Sequence, residues 1–233
     1  MQNESILIIF AKAPDSGRIK TRLEPILTPD ERVTLQEALI LDTLLLTDPL
    51  PVRRALAAPG PIDHPFLVRC GRERSLPLIE QKGEGLGDRM RNAFEWGFKE
   101  GFQRVVLIGC DAPTLPAEFI GEAFDRLERV PLVIGPSCDG GYYLIGARPP
   151  LIDLFSGIEW GSDRVLVETL RKVNAEQHGC ALLPYWYDID RPADLIFLKE
   201  MLALYERQQI LLPKKTDHFL RSLSLEGREG RAE

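Results

Sequence analysis

Three short stretches of this chain are apolar without a break and rich in β-branched residues: 5–11, 105–108 and 132–134. A strand of that kind has no polar face to turn to water, so it must be covered on both sides. Segments with helical spacing lie between and after these runs. Met90, Ala93, Phe94, Gly97 and Phe98 share one face of 86–99; Ile120, Ala123, Phe124 and Leu127 share one face of 117–128; Val165, Leu166, Thr169, Leu170 and Val173 share one face of 163–176. Buried strands alternating with amphipathic helices specify an α/β fold, a mostly parallel central sheet with helices on both faces.

The helix boundaries carry their own signals. In Thr28-Pro29-Asp30-Glu31, Thr28 can cap, proline fits the first helical turn and Glu31 completes a capping box, so a helix runs from there to about Leu46. Further strands are expected at 53–58, 142–145 and 181–183, and a last firm helix at 193–205. The stretch 59–77 is harder to read; a strand near 66–70 is the expectation. The 233 residues suit one domain over 1–212, which at this size buries roughly 70% of its unfolded surface. From 213 to 233 the composition turns polar, and a partly disordered tail is expected.

Composition narrows the function. No apolar run approaches the ~18 residues of a membrane span, and 6–11 is too short for a signal-peptide core, so a cytoplasmic protein is expected. Cys70, Cys110, Cys138 and Cys180 form no C-x-x-C pair; each is read as a small buried apolar residue, with no disulfide or zinc cage. His64, His178 and His218 have no recognisable catalytic context. A net charge of -6 argues against nucleic acid as a partner. Yet Lys12, Arg18, Lys20 and Arg22 crowd one loop with Asp15 as the lone acid, a concentration suited to a small anion.

In open α/β sheets, ligands lie beyond the carboxyl ends of the strands. That rule brings the loop 12–22, after the first strand, beside Asp111, after the 105–108 strand. Gly17 permits a tight turn, and mixed Arg and Lys suit a diphosphate; a solvated charged loop is the plainer reading. Asp111, in Gly109-Cys110-Asp111-Ala112-Pro113, stands where one carboxylate with substrate phosphates holds magnesium or manganese, the competing role being a turn or helix cap. Asp188 and Asp190 alternate in an extended segment, so both can face one ion, or one can cap the helix that follows. In Asp139-Gly140-Gly141-Tyr142 the glycines allow close approach of a ligand or make a plain tight turn. Gly83 to Arg89, with Gly85 and Gly87, is a glycine-rich approach to a helix N-terminus, which favours anions. Trp160 covers a sugar or base, or belongs to the core. The chain has neither a G-x-x-x-x-G-K-[ST] loop nor a G-x-S-x-G elbow, which disfavours P-loop hydrolases and α/β-hydrolases.

In this order, the segments 10–23, 85–90, 109–113, Gly135-Pro136 with 139–142, Leu154-Phe155 with Trp160-Gly161, and 187–190 with Pro192 and Asp194-Leu195 resemble a bacterial family of uncharacterised transferases. That family has the nucleotide-diphospho-sugar transferase (GT-A-like) fold and is often named for glycosyl transfer. The resemblance spans nearly the whole chain to about residue 200; Ser16 departs from it, where the family commonly has a second proline. It implies a metal-dependent transferase with a nucleotide-diphosphate donor. Glycosyl transfer from a nucleotide sugar is the first expectation. The alternative is a nucleotidyltransferase that joins a nucleoside triphosphate to a phosphorylated acceptor and releases pyrophosphate; a silent nucleotide-binding module is the third. Pro113 stands where many glycosyltransferases of this fold have the second acid of Asp-x-Asp. The basic loop and 110–113 also resemble nucleotidyltransferases that guanylylate phospholactate or build the molybdenum cofactor, although the glycine-rich first loop of the latter is absent.

Carried onto this chain, the resemblance implies Lys12, Gly17, Arg18, Lys20 and Arg22 on the phosphates, with Gly85, Gly87 and Arg89 at the base or ribose. It implies Mg2+ or Mn2+ on Asp111 with Asp188 or Asp190. Gly140, Gly141, Tyr142 and Trp160 would face the acceptor or sugar, Asp139 would be the general base, and Asp111 and Lys20 would share in catalysis.

Overall fold

The apolar runs form the middle of a seven-stranded sheet in the computed structural model, which describes residues 4–15, 19–60 and 62–224. The strands are β1 (Ser5–Phe10), β2 (Arg53–Ala58), β3 (Leu78–Glu80), β4 (Arg104–Ile108), β5 (Leu132–Pro136), β6 (Tyr142–Ala147) and β7 (Cys180–Leu182). Their order is β3-β2-β1-β4-β6-β5-β7. Only β6 runs against the rest, paired antiparallel with both β4 and β5. The helices are α1 (Pro29–Thr47), α2 (Pro65–Arg74), α3 (Leu86–Lys99), α4 (Ala117–Arg126), α5 (Val165–Ala175), α6 (Pro192–Arg207) and α7 (Lys214–Ser222). The fold is the expected α/β class.

Alternation along β1 divides the core. Leu7 and Ile9 face Ile40 and Leu44 of α1, Phe66 and Leu67 of α2, and Ile120 and Phe124 of α4. Ile6 and Ile8 face Met90 and Phe94 of α3 and Leu166 of α5. A third cluster joins Leu35 and Leu39 of α1 to Leu195, Leu198 and Leu202 of α6 and Phe219 and Leu220 of α7. Helix α1 is therefore buried on two sides, which accounts for apolar residues all around it.

The capping box at Thr28 forms: the Glu31 N–H donates to the Thr28 hydroxyl at 3.3 Å, and the Thr28 N–H donates to the Glu31 carboxylate at 2.7 Å. Thr28→Ala is expected to cost about 1 kcal/mol, a fall of roughly 2–4 °C in Tm measured by calorimetry; an unchanged Tm would mean that packing alone holds this helix end.

Three expectations are corrected. Residues 66–70 are helical in α2, not a strand: Pro65 occupies the first turn, and Phe66, Leu67, Cys70 and Gly71 are buried at helical spacing. Short apolar runs leave helix and strand unresolved until packing decides. Residues 214–222 are not a loose tail but a helix, pinned because the backbone N–H groups of Lys215 and Thr216 donate to the buried Asp42 carboxylate at 3.0 and 2.7 Å. Cys138 is exposed, whereas Cys70 and Cys110 are buried as expected and all four thiols are free. Among the described residues no helix is long and apolar enough to cross a membrane.

Candidate active site

The carboxyl ends of six strands and the amino end of antiparallel β6 share one edge of the sheet. The acidic segments meet there because the chain leaving β7 turns back along that edge. The Trp186 N–H donates to the Pro136 carbonyl at 3.1 Å, the Cys138 N–H to the Trp186 carbonyl at 2.9 Å, and the Ile189 N–H to the Asp111 carbonyl at 2.8 Å. Asp188 and Asp190 are thereby carried from the β7 margin to the loops after β5 and β4.

One carboxylate oxygen from each of Asp139, Asp188 and Asp190 lies within 4.8 Å of the others. Asp188 accepts from the buried Ser137 hydroxyl at 3.0 Å, and Asp139 accepts from the Gly141 N–H at 2.9 Å. Burial first, and then Asp139, Asp190 and Asp111, push the Asp188 carboxyl up to about 6. The Asp111 carboxylate lies 2.6 Å from the Lys20 ammonium. Asp190 touches Lys20 through Oδ1 at 3.2 Å and Arg22 through Oδ2 at 3.3 Å. Neither Asp139 nor Asp188 has a cation partner among the described residues, so two negative charges stay uncompensated. That charge and an all-oxygen donor set fit one hard divalent cation such as Mg2+ or Mn2+.

Helix capping is not what Asp111 and Asp190 do. The N-cap of α4 is Pro116. At α6 it is Asp194 that accepts from the N–H groups of Asp190 and Arg191, at 3.0 and 2.7 Å, leaving Asp190 to the site. Asp194, two residues after Pro192, carried a readable helix-start signal that the pattern of Asp188 and Asp190 overshadowed.

The basic loop is split by the fold. Gly17 and Arg18 lie outside the described residues. Lys20 is buried against the carboxylates, Arg22 joins Asp190, and Lys12 is exposed at the end of β1. Ile19 is tied down by Arg32 of α1, whose guanidinium donates to the Ile19 carbonyl at 3.2 Å. The glycine-rich segment also reaches the edge: Gly85 is the N-cap of α3, and the Arg89 Nε–H donates to the Gly83 carbonyl at 3.3 Å.

Gly87 has a packing reason, since a Cβ there would stand 2.5 Å from the Trp160 indole nitrogen. Trp160 itself is half-buried, edge-on to Tyr142 with centroids 6.4 Å apart and tilted against Phe155 at 6.3 Å. The rings of Tyr142 and Trp160 thus pack against the cluster under the site's margin, each partly exposed. Gly140 has φ +89°, and a Cβ on it would lie 2.0 Å from the Asp163 carbonyl oxygen.

Sequence reasoning missed two contacts. His64 Nε2 lies 3.3 Å from the Asp15 carboxylate, and the Thr114 and Tyr187 hydroxyls are 2.5 Å apart, fastening the segment before Asp188 to the loop after Asp111. Neither pair has a local pattern, because each partner comes from a different loop.

A profile for a family described as an uncharacterized protein conserved in bacteria (DUF2064) matches residues 42–162, just over half of the chain. The chain belongs to this family. A solved structure from Desulfovibrio desulfuricans G20, which carries the provisional name nucleotide-diphospho-sugar transferase, is 30% identical, with a TM-score of 0.86 over 100% of this chain and 99% of that one. The 4-diphosphocytidyl-2C-methyl-D-erythritol synthase of Anaerococcus prevotii DSM 20548 is 12% identical with a TM-score of 0.56, covering 87% of this chain and 100% of its own, a likeness of fold. The 2-phospho-L-lactate guanylyltransferase of Methanothermobacter thermautotrophicus is 28% identical over 146 residues, which are 59% of this chain and 60% of that enzyme. This DUF2064 protein therefore has the nucleotide-diphospho-sugar transferase fold.

Proposed function

We propose that the protein is a nucleotidyltransferase, transferring a nucleotide from a nucleoside triphosphate to a phosphorylated small molecule. The observation that carries this reading is the convergence of Asp139, Asp188 and Asp190 beside the basic loop at the carboxyl edge. The similarity to a guanylyltransferase favours nucleotidyl over glycosyl transfer, reversing the order in which the two were expected. Pro113 in place of a second acid points the same way.

In the reaction an oxygen of the acceptor attacks the α-phosphorus, a new P–O bond forms, and the bond from the α-phosphorus to the bridging oxygen breaks. Pyrophosphate leaves with the electron pair. Asp188 and Asp139, with Asp190 behind them, would hold Mg2+ or Mn2+, which when bound supplies positive charge to the phosphate oxygens. Lys12 is the exposed cation closest in sequence to β1 and is assigned to the phosphates, with Arg89 bracing the α3 entrance toward the base or ribose. A phosphorylated acceptor brings its own nucleophilic oxygen and needs little from a general base, so Asp139 is released to the metal. Catalysis rests on positioning and on charge placed in advance. A cytoplasmic setting fits substrates of this kind. Glycosyl transfer remains the second reading, on the name of the Desulfovibrio relative alone.

The test is a thermal-shift panel of nucleoside triphosphates and nucleotide sugars, each with and without Mg2+ or Mn2+, followed by pyrophosphate-release assays with phosphorylated acceptors, 2-phospho-L-lactate among them. A ligand at about 100 times its Kd adds about 2.7 kcal/mol, a rise of roughly 5–10 °C. A metal-dependent shift with one triphosphate is the expected result. A shift confined to nucleotide sugars would move the assignment to glycosyl transfer. Triphosphate binding with no pyrophosphate release from any acceptor would favour a silent binding module.

A further inference from the structure

We infer that α7, the last helix among the described residues, is a docked clasp that holds Asp188 and Asp190 in place through the apolar cluster beneath them. Asp42 is the positioning residue that keeps the clasp docked. The inference rests on the reading of this edge as a metal site.

Asp42 stands within α1 and is only 4% exposed. Its Oδ1 accepts from the Lys215 N–H at 3.0 Å and its Oδ2 from the Thr216 N–H at 2.7 Å. Those are two of the N–H groups that every helix start leaves unpaired. The N-cap of α7, Pro213, supplies no side-chain acceptor, so the cap comes from another helix. A helix of nine residues is marginal in water by itself, and α7 therefore folds and docks as one step. The ion pair of Arg221 with Glu206 of α6, 2.8 Å long, joins two exposed side chains and adds little. The hold on α7 is thus the Asp42 carboxylate together with the apolar face that follows it.

That face is Phe219 and Leu220, with Leu223 just beyond the helix, all buried in the third cluster with Leu35 and Leu39 of α1 and Leu198 of α6. The same cluster takes in Ile189, which is fully buried between Asp188 and Asp190, and Tyr187 packs against it. Asp188 is therefore flanked on both sides by residues seated in the cluster, while the two acids themselves are half-buried. A close-packed interior passes displacement on, so the seat of Ile189 sets where the neighbouring carboxylates lie. With α7 undocked, one wall of that seat is gone. Docking and metal binding are then linked: if undocking weakens Mn2+ binding by some factor, bound Mn2+ favours docking by the same factor.

The experiment compares the full-length protein with Asp42→Ala, Asp42→Asn and Phe219→Ala. Three readings are taken: Tm, Mn2+ affinity by calorimetry well below the Tm, and amide hydrogen exchange with and without saturating Mn2+. Asp42→Ala is expected to lower the Tm by roughly 3–12 °C. It should also weaken Mn2+ binding about tenfold, the lower end of the range for residues that hold metal ligands from behind. The Ile189 and Asp190 amides should exchange about tenfold faster or more, beyond any change in β4, which reports global opening. Asp42→Asn keeps one acceptor oxygen and should restore most of the Mn2+ affinity. In the unaltered protein, saturating Mn2+ should slow exchange across 217–222 by about tenfold as well.

A folded Asp42→Ala whose Tm falls while its Mn2+ affinity stays within about twofold would overturn the inference and leave α7 a stabilising element alone. Exchange in α7 that ignores saturating Mn2+, or an unchanged Tm in Asp42→Ala, would overturn it too. If Asp42→Ala does not fold, Phe219→Ala decides, since it alters only the α7 side: a loss of about tenfold in Mn2+ affinity upholds the clasp, and an unaltered affinity refutes it. If the unaltered protein binds no Mn2+, the metal reading fails, and exchange in Asp42→Ala still decides the clasp. Faster Ile189 and Asp190 amides would uphold it, and unaltered rates would refute it.

Discussion

Asp188→Asn is expected to lower nucleotidyl transfer by about 10²–10³-fold, the size of effect when one preorganised electrostatic contact to transition-state charge is lost. The same change should make the metal-free protein more stable at pH 7.5. The reason is linkage. The Asp188 carboxyl is pushed up to about 6 in the folded protein, above the ordinary 3.8, so the folded state holds this proton more tightly than the unfolded chain does. Its favourable contribution is complete below about pH 4 and is lost as pH rises to about 6. At pH 7.5 the ionised, half-buried carboxylate beside Asp139 and Asp190 opposes folding. Asparagine removes that opposition; discounted for its partial exposure to solvent, the gain is about 1 kcal/mol, or roughly 2–4 °C. The stabilisation of the protein by Mn2+ should shrink or vanish. A variant that is less stable without metal yet responds fully to Mn2+ would remove Asp188 from the metal site. Such a pairing of lost activity with gained stability is what a site built on uncompensated charge should show.

The second large effect is expected at Gly140. This residue adopts φ +89°, and an added methyl would collide with the Asp163 carbonyl at 2.0 Å. The turn joins two things: Asp139 on its entry side, held by the Gly141 N–H, and the start of α5, where the Leu166 N–H donates to the Gly140 carbonyl at 2.8 Å. Gly140→Ala must therefore strain the turn or push the 163–166 segment away. Backbone strain of about 1–3 kcal/mol and overpacking of similar size together give about 2–6 kcal/mol. The Tm should fall by roughly 4–24 °C, and Asp139 should be displaced enough to weaken Mn2+ binding. A loss within about 1 °C with Mn2+ affinity intact would mean that the 139–141 turn has slack which its contacts do not suggest.

Much of the architecture is legible in the sequence. The β-branched apolar runs of β1, β4 and β5 named the buried strands, and Thr28 to Glu31 named the start of α1. The switch-point rule then placed the basic loop and Asp111 at one edge. The reading failed at α2, where Phe66 to Cys70 fits either element until the sheet claims one face. At α7 the polar composition hides two anchors, the Asp42 carboxylate contributed from α1 and the buried Phe219 and Leu220.

Within the site the division falls differently. The sequence by itself determined which residue types gather at the carboxyl edge, because strand order and chain direction carry each loop there. Only the tertiary structure decided which acids keep a free charge. Lys20 and Asp190 are 170 positions apart, and no local pattern records that they meet. Lys20 pairs with both Asp190 and Asp111, while Asp139 and Asp188 have no cation partner among the described residues. Ionic partnership depends on distance in space, and only local periodicity is written along the chain.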